Sequence, residues 1–218
     1  WNSTLSINRL PHEILSDIFA AIPRPPEFLE KYVEPRGWRE RLMLVCREWR
    51  DTIVGTPTLW SLLCVSSTMS IDCLSLRLAR SANADLRLYF LTGYHHIWTD
   101  EGLGVLRLVV AHSKRVRSMV LPCLSPSLCT LLEDNTWPLL THMHISNPPR
   151  RDSDLHLKHL RFPELDHLSL AGSRLSLDPH LFRVIKWLKL SSDRTWSPDE
   201  FFAKYSGTSS LQLKELII

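Results

Sequence analysis

Residues 165–170 read LDHLSL, so apolar residues occupy the first, fourth and sixth positions of this six-residue pattern. With conservative replacements the pattern recurs four more times, starting at Val116, Leu140, Ile185 and Leu213. In chain order the five starts lie 24, 25, 20 and 28 residues apart. Because alternate side chains of a strand share one face, the fourth and sixth positions point into a common core. The pattern therefore predicts five short strands, each with one buried face.

This spacing resembles that of leucine-rich repeats, whose units are about 20–29 residues long. Residues 59–63 and 86–90 look like degenerate first strands, and helix signals that begin at Thr99 and Ser197 lie between strands. The expected fold class is α/β, with an N-terminal all-α module followed, over residues 61–218, by an irregular repeat solenoid with a parallel sheet. The asparagine that regular leucine-rich repeats carry at a fixed position of each unit is mostly missing here. A parallel sheet of another topology is therefore retained as an alternative. We expect further repeats, or another chain, to cover the edge of the last strand in a longer protein.

The positions between the pattern leucines point outward and form two rows across neighbouring strands. The first row is Ser118, His142, His167, Trp187 and Glu215, and the second is Val120, His144, Ser169, Lys189 and Ile217. An aromatic ring among ionisable groups on a rigid sheet is typical of a recognition surface. We therefore predict that a target protein contacts His142, His144, His167, Trp187 and Lys189. The alternative is a solvated face. The three histidines lack a zinc motif, so no metal site and no cofactor are predicted.

The N-terminal residues 10–22, LPHEILSDIFAAI, predict an amphipathic helix, with a proline in its first turn and an isoleucine stripe at i, i+4 spacing. A second stretch, from about residue 38 to residue 53, has Leu42, Val45, Trp49 and Ile53 at helical spacing. A module of about 50 residues buries too little apolar surface to be more than marginally stable alone. Its leftover apolar surface needs the following domain or a partner chain.

Three pieces of this module, in order, resemble an F-box. They are Leu10-Pro11-x-Glu13-Ile14-Leu15-x-x-Ile18-Phe19, Leu44-Val45-Cys46-Arg47-x-Trp49-Arg50 and Pro57-x-Leu59-Trp60. The resemblance covers residues 7–60 and implies three short helices. A proline-rich insertion, about residues 23–37, departs from the shorter connection of typical F-boxes and leaves the angle between the first two helices open.

The resemblance also implies a function: binding to a Skp-family adaptor and, through it, to a cullin-type ubiquitin ligase. The residues carried over for adaptor binding are Leu10, Pro11, Ile14, Leu15, Ile18, Leu44, Val45 and Trp49. Some of them must also pack inside the module, and all would be ordinary core residues if the resemblance were fortuitous.

The charge balance argues against other partners. The 218 residues carry 26 basic and 23 acidic side chains, a net charge of +3, without the concentrated basic stripe of a nucleic-acid-binding protein. No apolar run approaches the ~18 residues of a membrane span. An odd count of five cysteines, without a C-x-x-C pair, indicates reduced, buried thiols and a cytoplasmic or nuclear location.

The sequence also lacks the motifs of catalysis. No P-loop, nucleophile elbow or dinucleotide fingerprint is present, and His12-Glu13 lacks the second histidine of a zinc-protease helix because Ser16 takes its place. We therefore predict a non-catalytic adaptor that binds a target through its repeats. Two alternatives stay open: a repeat scaffold unrelated to ubiquitin whose helices only close the solenoid, and a hydrolase that uses a cysteine or histidine.

Overall fold

Helices lead the chain and parallel strands follow. The computed structural model describes residues 6–22, 37–66, 68–91, 100–121, 126–146, 155–171, 175–191 and 214–217. The helices are α1 (His12–Ala21), α2 (Trp38–Met43), α3 (Arg47–Gly55), α4 (Ile71–Arg80), α5 (Asp100–Ala111) and α6 (Pro126–Asp134). The strands are β1 (Leu62–Ser66), β2 (Leu86–Leu91), β3 (Val116–Leu121), β4 (His142–Ser146), β5 (Leu155–Leu157), β6 (His167–Ala171), β7 (Leu175–Leu177), β8 (Trp187–Ser191) and β9 (Glu215–Ile217).

Seven strands form one parallel sheet in the order β1-β2-β3-β4-β6-β8-β9. Each strand of this sheet therefore lies beside the strand that precedes it within the same sheet. The fourth pattern position is in register from end to end: Leu63, Leu88, Met119, Met143, Leu168, Leu188 and Leu216 are paired in turn. One apolar row thus crosses the whole sheet, as the leucine pattern predicts.

The connections between strands change in character along the chain. α4, α5 and α6 follow β1, β2 and β3, and their buried side chains pack on the sheet. After β4 and β6 the chain instead forms β5 and β7, which pair with each other in a second, two-stranded parallel sheet. A 3-10 turn follows each of these two strands. The leucine pattern did not predict either of these two short strands.

The main core lies between the sheet and the connecting segments. From the helices come Leu74, Leu78, Val105, Val109, Leu128 and Leu132, all nearly or fully buried. The sheet contributes the sixth pattern position, such as Ile145 and Leu170, and six members of the apolar row: Leu63, Leu88, Met119, Met143, Leu168 and Leu188. Burial of these side chains is the main favourable term for this part of the chain.

Most predicted strands are confirmed, with corrections at their starts. β3 occupies the predicted six residues, whereas β4, β6 and β8 begin two residues after the first pattern leucine. The first strand was predicted three residues too early, because residues Pro57–Trp60 form a 3-10 turn and β1 begins at Leu62. The predicted helix after Thr99 is α5, while the helix signal at Ser197 lies outside the described residues.

Three short helices precede the sheet, as the resemblance implies, but two boundaries differ from the prediction. Pro11 precedes α1 as its N-cap residue instead of occupying the first turn. The predicted second helix is broken: α2 ends at Met43, and Cys46 adopts an extended backbone before α3. The break turns Val45 outward, although Leu42, Trp49 and Ile53 still pack in the core of the module.

The described cysteines do not match the prediction of buried thiols. Cys64 is buried, Cys46 and Cys129 are half-buried, and Cys73 is exposed, all four as free thiols. Cys123 lies outside the described residues. Among the helices that the structure describes, none has the length and hydrophobicity to cross a membrane.

A buried arginine joins the helical module to the sheet. Arg39 of α2 is only 2% exposed, and its guanidinium lies 4.7 Å from the ring of Trp38 and 5.4 Å from that of Trp60. Its Nε donates to the carbonyl oxygen of Leu59 at 2.7 Å, and its Nη2 donates to that of Leu62, the first residue of β1, at 3.3 Å. The guanidinium therefore satisfies backbone oxygens where the module meets the sheet.

We expect Arg39→Met to lower the free energy of unfolding by about 2–4 kcal/mol, because two buried carbonyl oxygens lose a charged donor. Urea denaturation followed by circular dichroism measures the change. Arg50→Met is the matched control: Arg50 is exposed on α3, so the expected change is within about 0.5 kcal/mol. Equal urea midpoints for the two variants would refute the role of Arg39 as the joint.

Candidate functional site

Helix α1 has two apolar faces, of which one is buried and the other is exposed. Leu15 and Phe19 are buried in a cluster with Trp38, Ile53 and Trp60. The isoleucine stripe faces away from this cluster, and Ile14 and Ile18 are 46% and 39% exposed; Ile22 is exposed as well. The isoleucine stripe at i, i+4 spacing therefore marks the solvent face of α1. A helix that is apolar on both sides leaves one side for another partner.

A second group of exposed apolar side chains lies at the break between α2 and α3. Leu44 is 80% exposed and Val45 is 42% exposed. The turn is held by backbone hydrogen bonds from the N–H groups of Leu44 and Val45 to the carbonyl oxygens of Arg41 and Leu42. Val54 of α3 is also exposed, a position that the sequence analysis did not select. Fixed backbone with outward leucine and valine is a low-entropy arrangement for binding.

The remaining residues chosen for adaptor binding are divided between surface and core. Pro11 is exposed, and Leu10 is half-buried against the cluster of Leu15. Trp49 is half-buried, and its ring meets that of Phe19 edge-on at 5.0 Å. Leu15 has no exposed surface, so it supports the helix from inside and is left out of the docking surface that we define below.

The two predicted outward rows are confirmed in register. Across β3, β4, β6, β8 and β9, the paired residues are Ser118, His142, His167, Trp187 and Glu215. Two residues further along each strand, the paired residues are Val120, His144, Ser169, Lys189 and Ile217. All five residues chosen for target binding, namely His142, His144, His167, Trp187 and Lys189, are thus neighbours on one surface.

The rings of the first row are in contact. The imidazoles of His142 and His167 stack with their centroids 4.2 Å apart and an interplanar angle of 13°. The ring of Trp187 lies 6.0 Å from that of His167, tilted by 31°. His142 is exposed and the other two are half-buried, so a continuous aromatic edge is accessible.

His144 in the second row is held by hydroxyl groups. Its Nδ1 lies 2.9 Å from Oγ of Ser169, and its Nε2 lies 2.8 Å from Oγ of Ser146. Both ring nitrogens therefore have hydrogen-bond partners, which fixes the plane of the ring. The imidazole of His144 presents a fixed hydrogen-bonded surface and not a mobile one.

Asp166 is a member of this face that the sequence analysis missed. Its Oδ1 lies 2.7 Å from Nδ1 of His167, and its Oδ2 lies 3.5 Å from Nζ of Lys186. Partial burial works to raise the pKa of Asp166, but the hydrogen bond from His167 and the charges of His167, His142 and Lys186 outweigh it, so the pKa lies below its usual value. The signal was present in the second pattern position, which places Thr141, Asp166 and Lys186 directly before the neighbouring strands β4, β6 and β8.

The outward face is not accessible along its whole length. On β1 and β2 the outward residues Leu62, Cys64 and Tyr89 are 4–6% exposed and pack together, with the partly buried Val120 of β3 beside them. In the row of His142, by contrast, Arg87 of β2 is exposed and Ser118 of β3 is half-buried. We call the surface formed by His142, His144, His167, Trp187 and Lys189 the histidine face.

Comparison with known proteins identifies one part of the chain. Residues 7–66 match the model of the family described as F-box-like. The match contains α1, α2, α3 and β1, and it ends six residues beyond the boundary predicted from the sequence. It supports an F-box protein. No curated protein and no solved structure matches the chain.

We expect truncation to alanine to change the free energy of unfolding strongly at one residue of α1 and hardly at all at its neighbour. Leu15→Ala should lower the free energy of unfolding by about 2–5 kcal/mol, because it opens a cavity beneath Trp38 and Trp60. Ile14→Ala should change it by less than about 0.5 kcal/mol, because Ile14 is largely exposed. Chemical denaturation of both variants measures the difference. A comparable loss at both positions would contradict the assignment of the stripe to the surface.

Proposed function

We propose that this chain is the substrate-recognition subunit of a Skp–cullin–F-box ubiquitin ligase. In this proposal the N-terminal module binds a Skp-family adaptor, the adaptor connects it to the cullin complex, and the histidine face binds a target protein. The observation that carries the proposal is the coincidence of the F-box-like match with exposed apolar side chains inside it.

The docking surface is proposed to consist of Leu10, Pro11, Ile14, Ile18, Leu44, Val45 and Trp49. The support for it is energetic: the exposed isoleucines, Leu44 and Val45 gain about 25 cal/mol for each square ångström of apolar surface that a partner removes from water. Leu15 and Phe19 keep α1 attached to the module while its other side is bound. The same exposure disfavours the alternative in which the helices only close the end of the sheet, because a closing cap presents polar residues to water.

We further propose that residues 61–218 form an irregular leucine-rich-repeat solenoid. The support is the sequential order of parallel strands, the apolar row in register across seven of them, and one connecting segment for each strand. Irregularity follows from the change of connection, from α4, α5 and α6 to β5 and β7. Each unit then contributes one outward pair of residues to a continuous surface.

The proposed subunit performs no bond chemistry of its own, as is general for F-box proteins. Its contribution is positional, because a target held beside the ligase is present at a high effective concentration near the transferring enzyme. Arg39 is central to this role, since it joins the docking module to the first strand of the sheet. A rigid joint keeps the distance between adaptor and target constant.

We expect Leu44→Asp to weaken binding to a purified Skp-family protein by about 30-fold or more, as for a hot spot worth about 2 kcal/mol. Ile18→Asp should act in the same direction. A buried interface would have to desolvate the introduced carboxylate without a partner. Isothermal titration calorimetry with the full chain measures the affinity.

Leu76→Asp provides the matched control for Leu44→Asp. Leu76 is 52% exposed on α4, outside the F-box-like match, so the same substitution should leave adaptor affinity unchanged. Unfolding midpoints for all three variants should stay near that of the unsubstituted chain. If Leu44→Asp and Leu76→Asp bind the adaptor equally well, the docking surface is wrong, and an unsubstituted chain that fails to bind overturns the ligase proposal itself.

The two proposed surfaces should also separate in cells. Trp187→Ala combined with Lys189→Ala should keep the adaptor and lose a set of proteins that Leu44→Asp still retains, because the substitutions lie on different elements. Quantitative mass spectrometry of proteins co-purified with each variant gives the comparison. Identical protein sets for the face variant and the unsubstituted chain would exclude these two side chains from target binding.

A further inference from the structure

Three side chains with metal-binding atoms converge at the edge of the histidine face. His142 of β4, His167 of β6 and Asp166, which precedes β6, each place one ligand atom within 4.8 Å of the other two. The pairing of His142 with His167 and the stacking of their rings at 4.2 Å bring the imidazoles together. The carboxylate is already in contact with His167, with Oδ1 2.7 Å from Nδ1.

The backbone beneath this group is fixed on both sides. The N–H groups of Asp166 and His167 donate to the carbonyl oxygen of Thr141 at 3.1 and 2.9 Å. The carbonyl oxygen of Asp166 accepts from Lys186 and Trp187 at 2.8 and 2.9 Å. The two histidines therefore project from the sheet and Asp166 from a hydrogen-bonded position directly before β6, which limits the entropy lost when they bind a ligand.

We propose that His142, Asp166 and His167 form a binding site for a divalent transition-metal ion such as Zn²⁺ or Ni²⁺. Two imidazole nitrogens with one carboxylate oxygen suit these ions, whereas Ca²⁺ and Mg²⁺ require more oxygen ligands than the group supplies. In a tetrahedral site with bonds of about 2.1 Å, ligand atoms lie about 3.4 Å apart. Binding thus requires the ligand atoms, which lie within 4.8 Å of one another, to adjust their spacing and the stacked rings of His142 and His167 to turn so that both point at the ion.

Three protein ligands leave a coordination position open on the solvent side of the sheet, as in zinc sites that bind an exchangeable group. Water or a histidine, cysteine or carboxylate of a bound protein can complete the coordination there. The ion would then be part of the surface itself. The ion site is a property of this chain alone and does not depend on the ubiquitin-ligase role.

Two neighbours distinguish this donor set from the three histidines considered in the sequence. His144 has Ser169 and Ser146 as hydrogen-bond partners on its two ring nitrogens, so it is not among the ligands. Lys186 places an ammonium 3.5 Å from Oδ2 of Asp166 and thereby opposes the binding of a second cation. Its side chain is 48% exposed, so solvent screens this repulsion in part.

Calorimetric titration of the full chain with Zn²⁺ tests the proposal. The unsubstituted chain should bind one ion at this site, and His142→Ala and His167→Ala should each weaken binding by at least about 10- to 100-fold. Asp166→Asn should weaken it as well. Lys186→Ala should strengthen binding a few-fold, roughly two- to fivefold, because it removes a nearby positive charge. This gain is not expected of a variant that merely disturbs the fold.

His144→Gln and His180→Ala are the controls, since the first lies on the same face and the second is an exposed histidine elsewhere. Both should retain the affinity of the unsubstituted chain. Absence of saturable Zn²⁺ binding overturns the proposal. So does binding that survives in both His142→Ala and His167→Ala, because the ion would then occupy a different group of histidines. Adaptor binding by the same samples reports separately on the ligase role.

Discussion

The guanidinium of Arg39 is the constraint on which the arrangement of this molecule depends. A charge that is 2% exposed requires partners around it, and those of Arg39 include two indole rings and the carbonyl oxygens of Leu59 and Leu62. Trp60, one of those rings, is itself held by a hydrogen bond from its Nε1 to the carbonyl oxygen of Ile53 and faces Arg80 of α4 on another side. α2, α3, α4 and the start of β1 therefore meet around one pair of residues. Because moving α2 away from the start of β1 would take these two carbonyl acceptors from a buried charge, the guanidinium holds the helical module and the sheet together at this junction.

This junction also explains why the module can leave apolar surface uncovered. Its interior needs only one face of α1, supplied by Leu15 and Phe19, because Trp38, Trp60 and Ile53 fill the space below them. The isoleucine stripe and the turn at Leu44 are then not needed for the internal packing of the module. A chain of this kind retains exposed leucine and isoleucine at a cost in solubility, which is a reason to expect a partner there. The proposed role as an adaptor follows from this exposed apolar surface together with the F-box-like match.

The spacing of the strands and their register in the sheet could be predicted from the sequence. Which side chains of the helical module face solvent, and where its second helix breaks, could not. The leucine pattern placed Met143 beside Leu168 and His142 beside His167, because a parallel sheet with one buried face tolerates no slip of one residue. Helical spacing gave no such guide in the module: Val45 shares the period of Leu42 and Trp49, but the extended backbone at Cys46 turns it outward. β5 and β7 were missed because three-residue strands carry too little alternation to be recognised. Asp166 was missed because it lies directly before β6, outside the strand alternation that defines the outward rows.

The outward face changes in character from one end of the sheet to the other. Leu62, Cys64 and Tyr89 are buried together on the outward side of β1 and β2, although Arg87 of β2 is exposed. On the later strands most outward side chains are titratable: His142, His144, His167 and Lys189, with Asp166 beside them. An apolar partner gains little on such a surface, because it must strip water from imidazole, ammonium and carboxylate groups. A partner that supplies its own polar groups around a central aromatic contact with Trp187 replaces that water, and recognition on this face should accordingly be decided by hydrogen bonds and charge instead of buried area.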